Sequence, residues 1–303
     1  MAVFIVNPRS ANGATGARWP ALEAYLRDIG LAGQTRYTRG PDDARRLTIE
    51  ALASGNRLVV AVGGDGTIHE VVNGFFDPEA PAAHGAELGI LPCGTGGDLI
   101  RTLGVSRNPY HAAERLLKGT SRRFDVGLAR CQAGGREIER YFINIAEVGL
   151  GGAVVQRVNR TSKALGGFVS FLAGTLATFA TYRPGEVTIT VDAEAPRTLR
   201  AWNVVVGNGR YFGGGMRVLP EAQPDDGWFD VMVVGDVPRS ALFANVLAIY
   251  RGTHLQAAGV EHFRAREITV EAREPLLLDL DGEQPGSSRV TFRLVPGALS
   301  IRL

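Results

Sequence analysis

Lysine is almost missing from this sequence. Lys118 and Lys163 are the only two, so nearly all of the 33 basic residues are arginines. Neither lies near the glycine clusters of the first hundred residues, and no G-x-x-x-x-G-K-[ST] loop occurs, which excludes a Walker-type nucleotide site. An intact G-x-G-x-x-G is also absent, so a dinucleotide fingerprint has no support. Cysteine is scarce: Cys93 and Cys131 are too few for a disulfide framework or a metal knuckle in 303 residues, and a reduced, cytoplasmic setting is expected. Excess charge of one sign is missing too. The 33 basic and 31 acidic residues leave +2, with no nucleic-acid footprint and no polybasic tail. Histidines His84, His111, His254 and His262 show no ligand spacing and read as surface or core residues.

Long apolar runs are nearly absent. Leu165 to Tyr182 carries no charge, but Gly166, Gly167, Gly174 and several Ser and Thr dilute it, and Arg183-Pro184 follow. It reads as a helix covering a core or a groove, with peripheral and transient membrane contact instead of a transmembrane span. The N-terminal "MAVFIVNPRS" has no basic region before its apolar run and no cleavage site, so it reads as a first strand and not a signal peptide.

What is present is a 45% hydrophobic chain, able to bury a sizeable core. Its first part alternates strand and helix: strand-like Ala2–Val6, Gln34–Thr38, Arg57–Val62 and Leu88–Leu91, with helical spacing over Ala17–Ile29, Pro41–Ser54 and Thr67–Phe75. That rhythm predicts a mostly parallel sheet with helices on both faces, whose ligands sit beyond the carboxyl ends of the strands. From about Phe124 the period changes. Strand-like runs at Phe124–Ala129, Tyr141–Ala146, Glu186–Val191, Trp202–Val206, Phe229–Val234, Glu267–Val270, Pro275–Leu280 and Arg289–Leu294 alternate with turn signals, which predicts an antiparallel β domain. Two helical pieces, Ser162–Thr181 and Arg239–Tyr250, interrupt it. The expected domains are 1–123 and 124–303, the tail of the second being able to pack back on the first.

The chemistry is concentrated where strands meet glycines. "RLVVAVGGDGTIHEVVNG" ends an apolar strand in Gly63-Gly64-Asp65-Gly66-Thr67 and starts a helix at once. Glycine reaches positive φ at little cost, successive amides can point into one concavity, and a helix start adds free N–H groups and a positive dipole end. The loop is a candidate phosphate cradle. Asp65 repels phosphate, so its expected part is to hold Mg²⁺ or a metal-bound water; Thr67 is expected to cap the helix. "GILPCGTGGDL" repeats the design with Gly94, Thr95, Gly96, Gly97 and Asp98, and the turn after the first strand offers Asn7, Arg9, Ser10 and Gly13. With lysine lacking, phosphate charge has to be met by amides, hydroxyls, Mg²⁺ and an arginine such as Arg9 or Arg101. A tight turn without a ligand explains one such loop, but three at one sheet edge indicate a site.

Near the C-terminus "PLLLDLDGEQPG" places Asp279, Asp281 and Glu283 two residues apart. In a continuing strand all three share one face, where they can hold a metal or raise one carboxylate's proton affinity. The same letters describe a polar Asp-Gly hairpin turn. Asp225-Asp226-Gly227 also reads as an ordinary turn.

Taken in order, "NPRSANG", "GGDGTIHEVVNG", "LPCGTGGDL", "FINIAEVGLGG", "GNGRYFGGGMRVLPEAQPDDGWFDV" and "LDLDGE" resemble the diacylglycerol kinase catalytic family, in particular its bacterial YegS- and DgkB-type lipid kinases. GGDGT alone is shared with NAD kinases; the ordered set ending in DGE is specific. The resemblance implies an N-terminal three-layer α/β nucleotide-binding domain, a C-terminal antiparallel β-sandwich domain and a nucleotide between them. It implies ATP contacts at Thr38, at Gly63, Gly64, Asp65, Gly66, Thr67, Ile68 and His69, and at Thr95; Asn7, Arg9, Gly94 and Asp98 join them as candidates from the loops. Glu283 matches the family's general base, with Asp281 beside it. "PEAQPDDGW" matches a metal loop in which Asp226 gives its carboxylate and Gln223 and Trp228 their carbonyls. His69 and Gly97 depart from the pattern, each standing where asparagine is usual. The expected protein is an ATP- and Mg²⁺-dependent kinase of a lipid hydroxyl such as that of diacylglycerol. Its competitors are an NAD kinase-like enzyme and a catalytically silent lipid-binding homologue. The sequence leaves the oligomeric state open, a homodimer included.

Overall fold

The computed structural model describes residues 1–80, 85–160, 178–179, 181–274 and 276–303. The expected helix at 162–181 and the apolar run 165–182 therefore lie outside the described residues, apart from Thr178, Phe179, Thr181 and Tyr182. No helix among the described residues is long and apolar enough to cross a membrane. The chain divides into two compact units, Met1–Phe124 with Gly297–Leu303, and Asp125–Pro296.

The first unit is a parallel sheet. Strands β1 (Ala2–Val6), β2 (Gly33–Tyr37), β3 (Leu58–Gly63) and β4 (Glu87–Pro92) lie in the order β2-β1-β3-β4. β1 is buried along its whole length, which explains its unbroken apolar run. The register sets Val6 beside Val62, and Val62 beside Leu91. The carboxyl ends of β1, β3 and β4 thus finish side by side, and so do the turns that follow them. The helices are α1 (Ala14–Asp28), α2 (Asp43–Ala53), α3 (Asp65–Phe75), α4 (Asp98–Leu103) and α5 (Pro109–Lys118). Trp19, Leu22 and Leu26 of α1 and Leu116 of α5 pack on Phe4, Val60 and Leu91. Phe4 and Trp19 ring centroids are 5.5 Å apart. Helix α5 is an addition to the sequence reading. Its start carries the expected chemistry: Pro109 at the first position and Asn108 Oδ1 accepting from Tyr110 N–H at 3.0 Å. The C-terminal residues belong to this unit. Ile301 pairs with Leu88, and Arg302 Nη2 lies 2.7 Å from Glu87 Oε2.

The second unit is antiparallel. It comprises β5 (Ser121–Ala133, from Asp125 onward), β6 (Arg136–Phe142), β7 (Ile145–Gly149), β8 (Gly185–Val191), β9 (Arg197–Gly207), β10 (Phe229–Gly235), β11 (Val260–Ala265), β12 (Glu267–Ala272), β13 (Leu278–Leu280) and the first part of β14 (Ser287–Arg302). One path runs β11-β10-β9-β8-β12-β14, while β13 pairs with β7, and β7 with β9. Phe142, Phe229 and Phe292 meet at its centre, with Phe142 stacked on Phe229 at 5.6 Å. Helices α6 (Leu150–Arg160), α7 (Arg239–Ala244) and α8 (Val246–Arg251) complete it. Two runs expected to be single elements are divided. The Tyr141–Ala146 run breaks between β6 and β7, because the amides of Ile143, Asn144 and Ile145 turn to a carboxylate. The Arg239–Tyr250 helix breaks at Asn245, whose amide bonds to Ala241 O at 2.9 Å in competition with the backbone ladder.

Candidate active site

The strand-end loops of the first unit are fastened to one another. Asn7 N–H donates to Val62 O at 3.0 Å, while Cys93 and Gly94 N–H both donate to Gly63 O at 2.9 and 3.0 Å. Thr15 Oγ1 donates to Cys93 O at 2.7 Å. Asp65 links the two glycine loops: its Oδ2 accepts from Gly97 N–H at 2.7 Å. Its other oxygen, Oδ1, is buried and has no hydrogen-bond partner among the described residues. A pocket of about 230 Å³ opens here, lined among others by Gly64, Asp65, Ile68, Gly94, Gly97 and Arg107.

The glycines serve this site differently from expectation. Gly63, Gly64 and Gly66 have no positive φ; helix α3 begins at Asp65, and Gly64, its N-cap, is extended at φ −104°. What requires glycine is close approach. A Cβ on Gly63 would meet Thr67 Cβ at 2.8 Å, and one on Gly94 would meet Gly64 N at 2.8 Å. A Cβ on Gly64 meets nothing nearer than Gly94 Cα at 3.4 Å, so that position is left open towards the pocket. In the loops after β3 and β4, positive φ is confined to Gly97, at +112°, the N-cap of α4. Thr67 does not cap α3. It sits buried inside the helix, and its hydroxyl accepts from Asn7 Nδ2 at 3.1 Å. The amides of Asp65, Gly66 and Thr67 precede the first intrahelical bond, Ile68 N–H to Gly64 O, and so have no intrahelical acceptor, the usual condition of a helix start.

Other candidates divide. Thr95 is exposed on the second loop, and Asp98 is buried at the start of α4 with Arg101 Nη1 at 3.9 Å. Ile68 lines the pocket, but His69 turns to Asn73, whose Nδ2 lies 3.3 Å from its Nε2. Thr38 is buried just past β2, its N–H on Val6 O at 2.9 Å; next to it Arg39, Pro41, Arg46 and Asp77 line an open cleft of about 1040 Å³. Arg9 is exposed. The cation lining the glycine-loop pocket is instead Arg107, whose Nη2 donates to Gly96 O at 3.2 Å. Nothing in the sequence marks it, because it lies outside both loops. Burial raises the Cys93 thiol to about 11, which keeps it protonated and makes it a packing residue.

In the second unit the three acids do not share a face. Strand β13 stops at Leu280, and Asp281 (φ 53°) and Gly282 (φ 96°) form the two central residues of a hairpin in which Leu280 and Glu283 exchange both backbone bonds. Asp281 is tied to the main chain. Its Oδ2 accepts from Ile143 N–H, and its Oδ1 from Asn144 and Ile145 N–H, all at 3.0 Å. A carboxylate with both oxygens so engaged is an anchor. Glu283, at the end of the turn, is exposed. Asp279 is fully buried directly across from Glu147 of β7. Burial raises Glu147 to about 7, and burial first, then Glu147 and Asp281, hold Asp279 well above the usual carboxylate range. Glu147 escapes a sequence reading because its partner is a cross-strand neighbour far along the chain.

The loop proposed for a metal is already partly neutralised. Asp226 Oδ1 accepts from Trp228 N–H at 3.1 Å, and Arg264 Nη1 lies 3.2 Å from Oδ2. Asp125 Oδ2 accepts from Gly227 N–H at 2.7 Å, and Asp230 pairs with His262 at 2.9 Å. Burial, with Asp230 and Asp125 nearby, raises Asp226. Gln223 is exposed. Among the described residues no group of three or more acidic, histidine or cysteine side chains is arranged to hold a metal. An ion in this loop would therefore depend on one carboxylate and on main-chain carbonyls, a donor set suited to a hard cation.

Comparison with known proteins supplies a context for this geometry. Residues 1–129 match the family model of the diacylglycerol kinase catalytic domain, and residues 144–303 that of the YegS C-terminal NAD kinase beta sandwich-like domain. The chain is 32% identical to a probable lipid kinase YegS-like of Pseudomonas aeruginosa, over 93% of this chain and 88% of that protein. It is 29% identical to a diacylglycerol kinase of Bacillus subtilis, over 93% and 89%. A crystal structure of a putative diacylglycerol kinase from Bacillus anthracis superposes with a TM-score of 0.77 at 28% identity, covering 99% of this chain and 96% of that one.

Proposed function

The chain belongs to the diacylglycerol kinase catalytic family, with the YegS-type C-terminal domain, and on that premise we propose that it transfers the γ-phosphoryl group of ATP to a hydroxyl of a lipid, diacylglycerol or a close relative. The carrying observation is the pair of glycine loops joined through Asp65 and Gly97, with the start of α3 and a buried Asp65 oxygen unpartnered among the described residues at one pocket.

In this reading the amides of residues 65–67 and the Arg107 guanidinium hold the phosphates. Asp65 Oδ1 and Asp98 are the donors for Mg²⁺ or its bound water, and the orphaned oxygen fits that part. When bound, Mg²⁺ neutralises charge on the transferring phosphates. Gln223, Asp226 and Trp228 form a second, structural ion loop. Glu283 takes the proton of the acceptor hydroxyl as its oxygen bonds to the γ-phosphorus and the bond to the β-phosphate oxygen breaks, releasing ADP. Proton acceptance of this kind is worth about 10²–10⁴-fold. Asp281 fixes the hairpin that presents Glu283.

Transfer of label from [γ-³²P]ATP to a panel of extracted lipids, with NAD included as an acceptor, tests the proposal. Labelled phosphatidic acid or a related phospholipid is expected. Labelled NADP would favour the NAD kinase-like alternative, and no labelled product at all would favour a silent homologue.

A further inference from the structure

Helices α7 and α8 are inverted relative to ordinary surface helices. Neither contains a fully buried residue. Their inner side is held by Leu242, packed on Leu150, Val154 and Trp202, and by Ile249, packed on Val218, Leu219 and Met232. Their outer side should then be polar. It carries instead Leu247 and Tyr250, 66% and 41% exposed, and Phe243, which is 45% exposed with its ring centroid 5.7 Å from that of Phe179. These positions, i, i+4 and i+7, fall on one stripe. Among the described residues seven large apolar side chains are exposed, and three of the seven are on this stripe.

The stripe's charge is of one sign. Arg251 is exposed at the end of α8. Arg239 stands at the start of α7, its Nη2 on Tyr182 O at 2.8 Å and its guanidinium over the Trp202 ring at 5.8 Å. No acidic residue occurs from Val237 to Thr253. A second copy of the same face would meet these arginines with like charge, whereas an anionic bilayer meets them with opposite charge. An aromatic and aliphatic face with arginines and no acids is the chemistry of a helix lying in a membrane interface. Tyrosine is suited to headgroup depth.

We propose that the α7–α8 face, through Phe243, Leu247, Tyr250 and Arg251, docks the enzyme on an anionic lipid bilayer. This rests on the lipid-kinase reading, since an acceptor with acyl chains resides in a bilayer. The face lies outside the residues assigned to phosphoryl transfer.

The test is co-sedimentation of the full chain with phosphatidylcholine vesicles, with and without phosphatidylglycerol, and it needs no turnover. Leu247→Glu is expected to lower vesicle partitioning about tenfold or more, because one buried leucine is lost and a repelled charge gained. Arg251→Gln is expected to weaken binding only where phosphatidylglycerol is present. Phosphorylation of a short-chain, monomerically dispersed diacylglycerol stays at the parent level in both variants, which separates docking from catalysis. A parent chain that sediments with vesicles but phosphorylates no lipid would defeat the kinase reading and leave the docking face standing. Leu247→Glu that binds vesicles as the parent does would overturn the proposal. So would a loss of self-association on sedimentation velocity with vesicle binding intact, which would make the face a subunit interface.

Discussion

Asp281 and Glu283 are two letters apart in the same motif, yet the structure separates their work. Asp281 has both oxygens on three main-chain amides, while Glu283 is exposed at the end of the hairpin. Their substitutions should therefore differ. Glu283→Gln is expected to abolish most turnover, with unfolding midpoint and ATP affinity unchanged. Asp281→Asn replaces an acceptor oxygen by a donor facing N–H groups, and is expected to lower stability by about 2 kcal/mol as well as turnover. Urea unfolding alongside phosphate transfer distinguishes the two; equal loss of stability in both would contradict the division. The DGE letters pointed to the motif but not to this division, because period-two alternation fails once Asp281 adopts φ 53°.

A buried residue gives the second prediction at this scale. Glu147 is raised from 4.5 to about 7 by burial opposite Asp279, which is raised as well. The folded chain thus binds more protons than the unfolded chain across that window, and stability is lost as pH rises through it. Glu147→Gln removes one side of the pair. It is expected to raise stability by on the order of 2 kcal/mol at pH 8 and by little at pH 5. Melting temperatures at the two pH values provide the check, and a pH-independent difference would contradict the burial-raised carboxylate at Glu147.

At the scale of elements, strand ends and glycine loops were readable because their causes are local. An apolar run ending in glycine and followed by helix-forming residues specifies a strand-loop-helix unit without distant help. The reason for each glycine was not readable, since close approach depends on the neighbouring loop. Gly94 faces Gly64 across two strands, and only the register of β3 on β4 brings them together. This separates two alanine substitutions. Gly94→Ala is expected to cost about 1–3 kcal/mol, because its Cβ meets backbone that cannot yield. Gly64→Ala should leave the melting temperature nearly unchanged and weaken ATP binding about tenfold, because its Cβ projects where phosphate approaches the amides. Calorimetric ATP titration and thermal unfolding of both variants decide the matter; normal ATP affinity in Gly64→Ala would remove the cradle. Breaks in elements were invisible for the same reason: the gap between β6 and β7 exists because Asp281, from far along the chain, takes the amides there.

At the scale of the whole molecule, the change from alternating strand and helix to strands with turns was plain in the letters, and both family models fall on the corresponding parts of the chain. The near absence of lysine proved informative. It turned the expectation towards amides, hydroxyls, Mg²⁺ and an arginine, and the arginine that lines the pocket beside the start of α3 is Arg107. That arginine was not legible, because it reaches the pocket through the fold of 98–107 and through no motif of its own. The uneven use of the surface was equally hidden: the letters of Arg239–Tyr250 indicate a helix but not that Phe243, Leu247 and Tyr250 are left exposed on it.

The most direct measurement is a crystal structure of the full chain with ADP and Mg²⁺. The β-phosphate is predicted to accept hydrogen bonds from main-chain N–H groups of residues 65–67, with the metal ion or its water on the Asp65 carboxylate. A diphosphate seated elsewhere, or held at that pocket by arginine side chains without main-chain contacts, would contradict the account.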